Sequence, residues 1–265
     1  MKTPHLLLAL ALAAAPFLTF AGVTIGVDKA ELITDLKPGE KRVLKLQVTN
    51  SGTDATPVTV YSEDWQINRG EPDFNNKTHA RALGRRVTLT PSSFDLAAGA
   101  AQEVTVVVDA GTEAFIPGSY WAAVFVQSAR LAPVAAGTVD RGAQMSIVER
   151  IGVLLFADSA PEAKPLPADI VITGIKRTTE GLSITVKNPS AYMRLASNAV
   201  VSVTPLAGGE TTKIPLHSFR LLPDSTQDIA VDLPATVTGL GRSSVLAVID
   251  YNAQDLVVGE ARITF

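Results

Sequence analysis

No cysteine occurs anywhere in the 265 residues, which excludes thiol catalysis, cysteine-ligated zinc and any disulfide framework. Histidine is nearly as scarce. His5 lies in the apolar start, His79 in a polar stretch and His217 just after Pro215-Leu216, and none stands at a metal-motif spacing from another ligand. Each is read as structural. The Gly-x-Ser-x-Gly pattern of a nucleophile elbow is missing, and Gly118-Ser119 and Gly208-Gly209 introduce no helix that could cradle a phosphate. Glu63 and Asp64 are adjacent, so strand alternation aims them at opposite faces, a poor acid/base pair. The expectation is no enzyme, no metal and no cofactor. Excess charge is lacking too: 23 Lys and Arg against 26 Asp and Glu leave a net −3, which gives a nucleic-acid partner little support.

Long apolar runs are rare. One, Leu6 to Phe20, follows the weakly basic Lys2 and His5 and ends at Thr19-Phe20-Ala21, a pattern signal peptidase accepts. It falls short of the about 20 apolar residues of a membrane span, so residues 1–21 are read as a secretory signal peptide, with Gly22 as the mature start. A retained N-terminal anchor is the alternative. Periplasmic export is the expectation.

What is abundant is Val, Ile, Thr, Gly and Pro in a period of two, the grammar of short strands and turns. Leu44, Leu46 and Val48 alternate with polar residues up to Asn50-Ser51-Gly52; Val104, Val106 and Val108 do the same. Tyr120, Ala122, Val124 and Val126 form one face opposite Trp121, Ala123 and Phe125, and both tryptophans are read as core or interface. Arg69 to Arg85 has no period and is read as a loop. Met145 to Phe156 is a long strand with Met145, Ile147, Ile151, Val153 and Leu155 on one face, interrupted by Glu149, and it turns apolar on both faces toward its end. The Pro/Ala-rich segment 157–167 then reads as a linker. Beyond it Leu182, Ile184 and Val186 run to Asn188-Pro189, and the Ile229–Leu233 and Val245–Ile249 stretches repeat the alternation. The fold class is therefore all-β, with two immunoglobulin-like sandwiches at 22–156 and 168–265.

Several of these segments, taken in order, resemble the periplasmic pilus-assembly chaperones of the PapD-like chaperone–usher family. They are Leu36-Lys-Pro-Gly-Glu with Leu46-Gln-Val-Thr-Asn-Ser-Gly, Leu89-Thr-Pro-Ser-Ser-Phe-Asp-Leu with Gln102-Glu-Val-Thr-Val, and Ser119-Tyr-Trp-Ala-Ala-Val-Phe-Val. Arg150-Ile-Gly-Val-Leu-Leu-Phe, Leu182-Ser-Ile-Thr-Val-Lys-Asn-Pro-Ser-Ala-Tyr and Leu222-Pro-Asp-Ser-Thr-Gln continue the match across nearly the whole mature chain.

The resemblance implies a chaperone that lends an edge strand to a pilus, fimbrial or other surface subunit lacking one. The matching donor positions are Ala143, Met145 and Ile147, with Ile151 of the same parity. Family members also hold the subunit's terminal carboxylate with two cations, whose positions fall here on Gly152 and near Ala30 or Glu31. The nearest cations, Lys29 and Arg150, are the candidate anchor. An outer-membrane usher and weak self-association through the edge strand complete the implied partners. The alternative is a structural or adhesive envelope protein of two such domains without chaperone activity.

Overall fold

The structure, a computed structural model, describes residues 24–68, 71–75, 79–112, 115–131, 146–160 and 169–265. The segment read as a signal peptide and most of the connection at 157–167 lie outside them. In chain order the first sandwich contains β1 (Ile25–Val27), β2 (Glu31–Asp35), β3 (Lys41–Asn50), β4 (Thr56–Glu63), β5 (Gln66–Asn68) and β6 (Glu71–Asp73). It continues with β7 (Val87–Thr90), β8 (Ser93–Leu96), β9 (Ala101–Asp109), β10 (Ser119–Leu131) and β11 (Ser146–Asp158). The second contains β12 (Val171–Arg177), β13 (Gly181–Asn188), β14 (Arg194–Ala196), β15 (Asn198–Pro205) and β16 (Thr212–Leu216). It ends with β17 (Phe219–Leu221), β18 (Ser225–Asp232), β19 (Arg242–Asp250) and β20 (Val257–Thr264).

Alternation decides which face each strand buries. Val104, Val106 and Val108 of β9 and Leu46 and Val48 of β3 are fully buried, while Lys45, Gln47 and Glu103 face water. These faces close one core between the sheets β1-β3-β9-β7 and β2-β11-β10-β4-β8. A second core, with Leu182, Ile184, Val201, Val203, Val245 and Ile249, fills the space between β12-β13-β18 and β16-β15-β19-β20. The chain is thus two all-β sandwiches, as its periodicity implies.

The two Asn turns work alike. At the end of β3, buried Asn50 donates from Nδ2 to the carbonyls of Asp54 and Leu96 and accepts from the Gly52 N–H. At the end of β13, buried Asn188 donates to the carbonyls of Tyr192, Leu221 and Leu222 and accepts from the Ser190 N–H. Each side chain satisfies backbone groups that the turn leaves over, tying a strand end to a neighbouring segment.

Two boundaries differ from the sequence reading. β11 runs through Asp158, so Ala157 and Asp158, assigned to the linker, complete a strand; Ala157 belongs to the first core and is 1% exposed. The stretch read as a loop from Arg69 to Arg85 contains β6, paired with β5 from Gln66↔Asp73 to Asn68↔Glu71. A three-residue ladder carries no period that a sequence window can register.

Candidate functional site

The first segment of the chain changes sheets. β1 pairs antiparallel with β3, and β2, three residues further on, pairs parallel with β11 in the opposite sheet. This crossing decides how much of β11 is covered. On one side β11 pairs with β10 along its whole length, from Ser146↔Leu131 to Asp158↔Ser119. On the other, β2 covers only Leu154 to Asp158. Among the described residues, 146–153 therefore have no strand on that side. An edge of this kind is a template for pairing with another chain.

Ile147 occupies this open stretch, in register with Arg130 of β10. Ile151, of the same parity, is half-buried and packs against the first core, so its side chain is committed to its own domain. Ala143 and Met145 lie outside the described residues. Between Ile147 and Ile151, Glu149 turns its carboxylate toward β1. It accepts from the Thr24 N–H at 3.2 Å, the Thr24 hydroxyl at 3.0 Å, the Ile25 N–H at 3.4 Å and the Ser128 hydroxyl at 3.4 Å. The charge that interrupts the apolar row thus holds the start of β1 against the core-side face of β11. On the other face, Val148 is 56% exposed.

The two cations put forward as an anchor are not brought together. The Lys29 ammonium donates to the Lys45 carbonyl at 2.8 Å and pairs with Asp28 at 2.9 Å. The neighbouring ammonium and the Gln47 N–H hold the Asp28 carboxyl below its usual range. Arg150 lies on the opposite parity, its guanidinium 4.1 Å over the Phe125 ring and 3.5 Å from the Tyr61 hydroxyl. Gly152 supplies the room: a Cβ there would stand 3.0 Å from the Phe125 ring. Where the resemblance calls for a cation, this chain has an aromatic ring.

That outer face of β10 and β11 carries the contact with the second domain, which the sequence reading did not assign. Trp65, Trp121, Ala123, Phe125 and Phe156 form a buried cluster with Leu222 from the second sandwich, and Met193 packs on it. The signal was present in the residues. Tyr120, Ala122, Val124 and Val126 point into the first core and Trp121, Ala123 and Phe125 into this seam, so β10 is apolar on both faces because it serves two cores. Polar contacts surround the cluster. The Ser119 hydroxyl donates to Asp158 at 2.5 Å and accepts from the Met193 N–H at 2.9 Å, while the Ser119 N–H donates to the Ala191 carbonyl at 2.9 Å. Arg220 of β17 forms a two-pronged ion pair with Glu31 of β2, its Nε 2.7 Å from one carboxylate oxygen, and its guanidinium lies 5.1 Å over Phe156. Glu31, near which the resemblance places one of the two cations, is itself an acid, and its cation comes from the other domain.

No family model matches the chain, and no curated protein matches it. Among solved structures it is similar to the YadV chaperone, with 14% identity over 91% of this chain and 100% of that one, at a TM-score of 0.47. It is similar to the E. coli chaperone DraB, with 16% identity over 91% of this chain and 98% of that one, at a TM-score of 0.45. It is also similar to the CsuC–CsuE chaperone–tip adhesion subunit complex of Acinetobacter baumannii Csu pili, with 11% identity, 90% and 98% coverage and a TM-score of 0.46. Likeness at this level of identity concerns the fold alone.

Proposed function

We propose that this protein is an exported periplasmic chaperone that binds a pilus or other surface subunit by pairing β11 with it. The observation that carries the reading is the open edge of β11 at 146–153, held rigid on its other side by a complete ladder to β10. An extended segment of a partner sandwich would gain backbone hydrogen bonds along that edge, and the side chains of Ile147 in β11 and of Ala143 and Met145 ahead of it would enter the partner's core. The order of family-like motifs along the chain supports the same role.

The test is co-purification with a subunit encoded beside this protein's gene. Ile147→Asp places an unpaired carboxylate in the partner's core and is expected to weaken binding by about a hundredfold or more, since burying a charge without a counter-ion costs several kcal/mol. The variant should remain folded. Normal binding by a folded variant, or loss of the fold itself, would sink the assignment. A second reading, a structural or adhesive envelope protein, is favoured by the separate partners of Lys29, Arg150 and Arg220, which among the described residues are Asp28, the Phe125 ring and Glu31. Failure to retain any subunit while both domains fold supports that reading.

A further inference from the structure

His79 sits where the two sandwiches meet. Its ring stacks on Trp121 of β10, with centroids 4.4 Å apart and planes 17° from parallel. The pair lines a cleft of about 330 Å³ together with Ile67 and Arg81 of its own domain and Leu222, Pro223 and Asp224 of the second. Both ring nitrogens are sealed from solvent, and neither has a hydrogen-bond partner among the described residues. A neutral imidazole leaves one donor and one acceptor unsatisfied there. An imidazolium would bring a second unsatisfied donor and a whole charge into the same space, which is far more costly.

The charged groups around the ring do not relieve this. The carboxylate of Asp64, at the end of β4, is engaged by the Gly84 N–H at 2.6 Å and reaches His79 only through its field. Arg81, two residues along, is itself a cation; it contacts the Pro117 carbonyl at 3.4 Å and the face of Tyr120 at 5.6 Å, with no carboxylate partner among the described residues. Asp224, from the second domain, is exposed to water. The face of Trp121 attracts a cation, but by less than the lost hydration costs. Burial thus holds His79 below the ordinary histidine range, with Asp64 pulling weakly the other way.

We propose that His79 is an acid-operated latch on the domain seam: when neutral it closes against Trp121, and when protonated it leaves for water and opens the cleft that Trp121 shares with Leu222–Asp224. The sign follows from linkage. A released imidazole takes up its proton near its ordinary value of 6.5, above the closed-state value, so acid favours release. The closed seam is fully stable above that pH and loses stability as the pH falls from there through the closed-state value. The latch is independent of the chaperone reading and is tested without any client.

Labelling the two tryptophans with fluorine and assigning Trp121 by difference from Trp65→Phe gives the readout. Between pH 7.5 and 5 the solvent-isotope shift of the Trp121 resonance should rise severalfold from near zero. His79→Phe, which keeps a ring on Trp121 without a proton to gain, should abolish the rise; if that variant does not fold, His79→Gln serves for the same comparison. An unchanged Trp121 resonance across this range, or an equal rise in the folded variant, overturns the latch.

Discussion

Arg194 carries a full charge into the second core with its side chain only 2% exposed, because Asp169 and Tyr251 meet it there. Its guanidinium donates to both carboxylate oxygens of Asp169, at 3.0 and 2.5 Å, and the Tyr251 hydroxyl donates to the same carboxylate at 3.1 Å. Burial alone would raise the Asp169 carboxyl, but Arg194 and then Tyr251 outweigh it and hold the group below its ordinary value. A carboxyl depressed in the folded state contributes stability above its unfolded value near 3.8, lost as pH falls through the folded value. Asp169→Asn should therefore cost about 3 kcal/mol at neutral pH, by stranding the buried guanidinium, and flatten the acid limb of stability against pH. Urea unfolding between pH 3 and 7 measures both. Gly118 is a second point of residue-scale tightness. Its φ is +134°, and a Cβ would stand 2.2 Å from the Ala191 carbonyl oxygen across the seam. Gly118→Ala should lower stability by roughly 3 kcal/mol, combining backbone strain with that clash. A melting temperature within a degree of the parent would contradict this.

β11 shows how one strand divides its residues among three environments. Val153 and Leu155 are fully buried in the first core, Leu154 and Phe156 face the second domain, and Val148 stands in water beside the open edge. Val148→Asp should leave stability unchanged within about 0.5 kcal/mol, whereas Val153→Asp buries an unpaired carboxylate and should cost several kcal/mol. Paired denaturation curves separate the two. The approach to two apolar faces was legible in the residues, as was the long alternation that makes this a strand. The open edge was implied only by the resemblance, because it depends on β2 beginning at Glu31, and nothing in β11 itself records where a partner from the start of the chain begins. The short β5–β6 ladder was missed for want of a period. The ion pair between the domains was not legible because it joins residues 189 apart, Glu31 and Arg220, and each alone reads as a solvated surface charge.

At the scale of the molecule, the seam fixes where the second domain stands relative to β11. Most of its strength lies in the apolar cluster. Leu222 is 2% exposed, so Leu222→Ala should cost 2–5 kcal/mol in the contact between domains, about the range for a buried leucine. Arg220→Ala removes a pair whose side chains are 18% and 33% exposed and should cost about 1 kcal/mol or less. Calorimetry should show two separated transitions in Leu222→Ala and one in Arg220→Ala; the reverse pattern would mean that the ion pair, not the cluster, joins the domains. The central claim concerns the edge that this arrangement presents. Hydrogen exchange along β11, free and with a co-purified subunit, tests it directly. Residues 154–158 are already paired with β2 and should change little, while amides within 146–153 should slow by at least tenfold on binding. Protection that appears elsewhere, with 146–153 exchanging as in the free protein, would show that the subunit is not held by this strand.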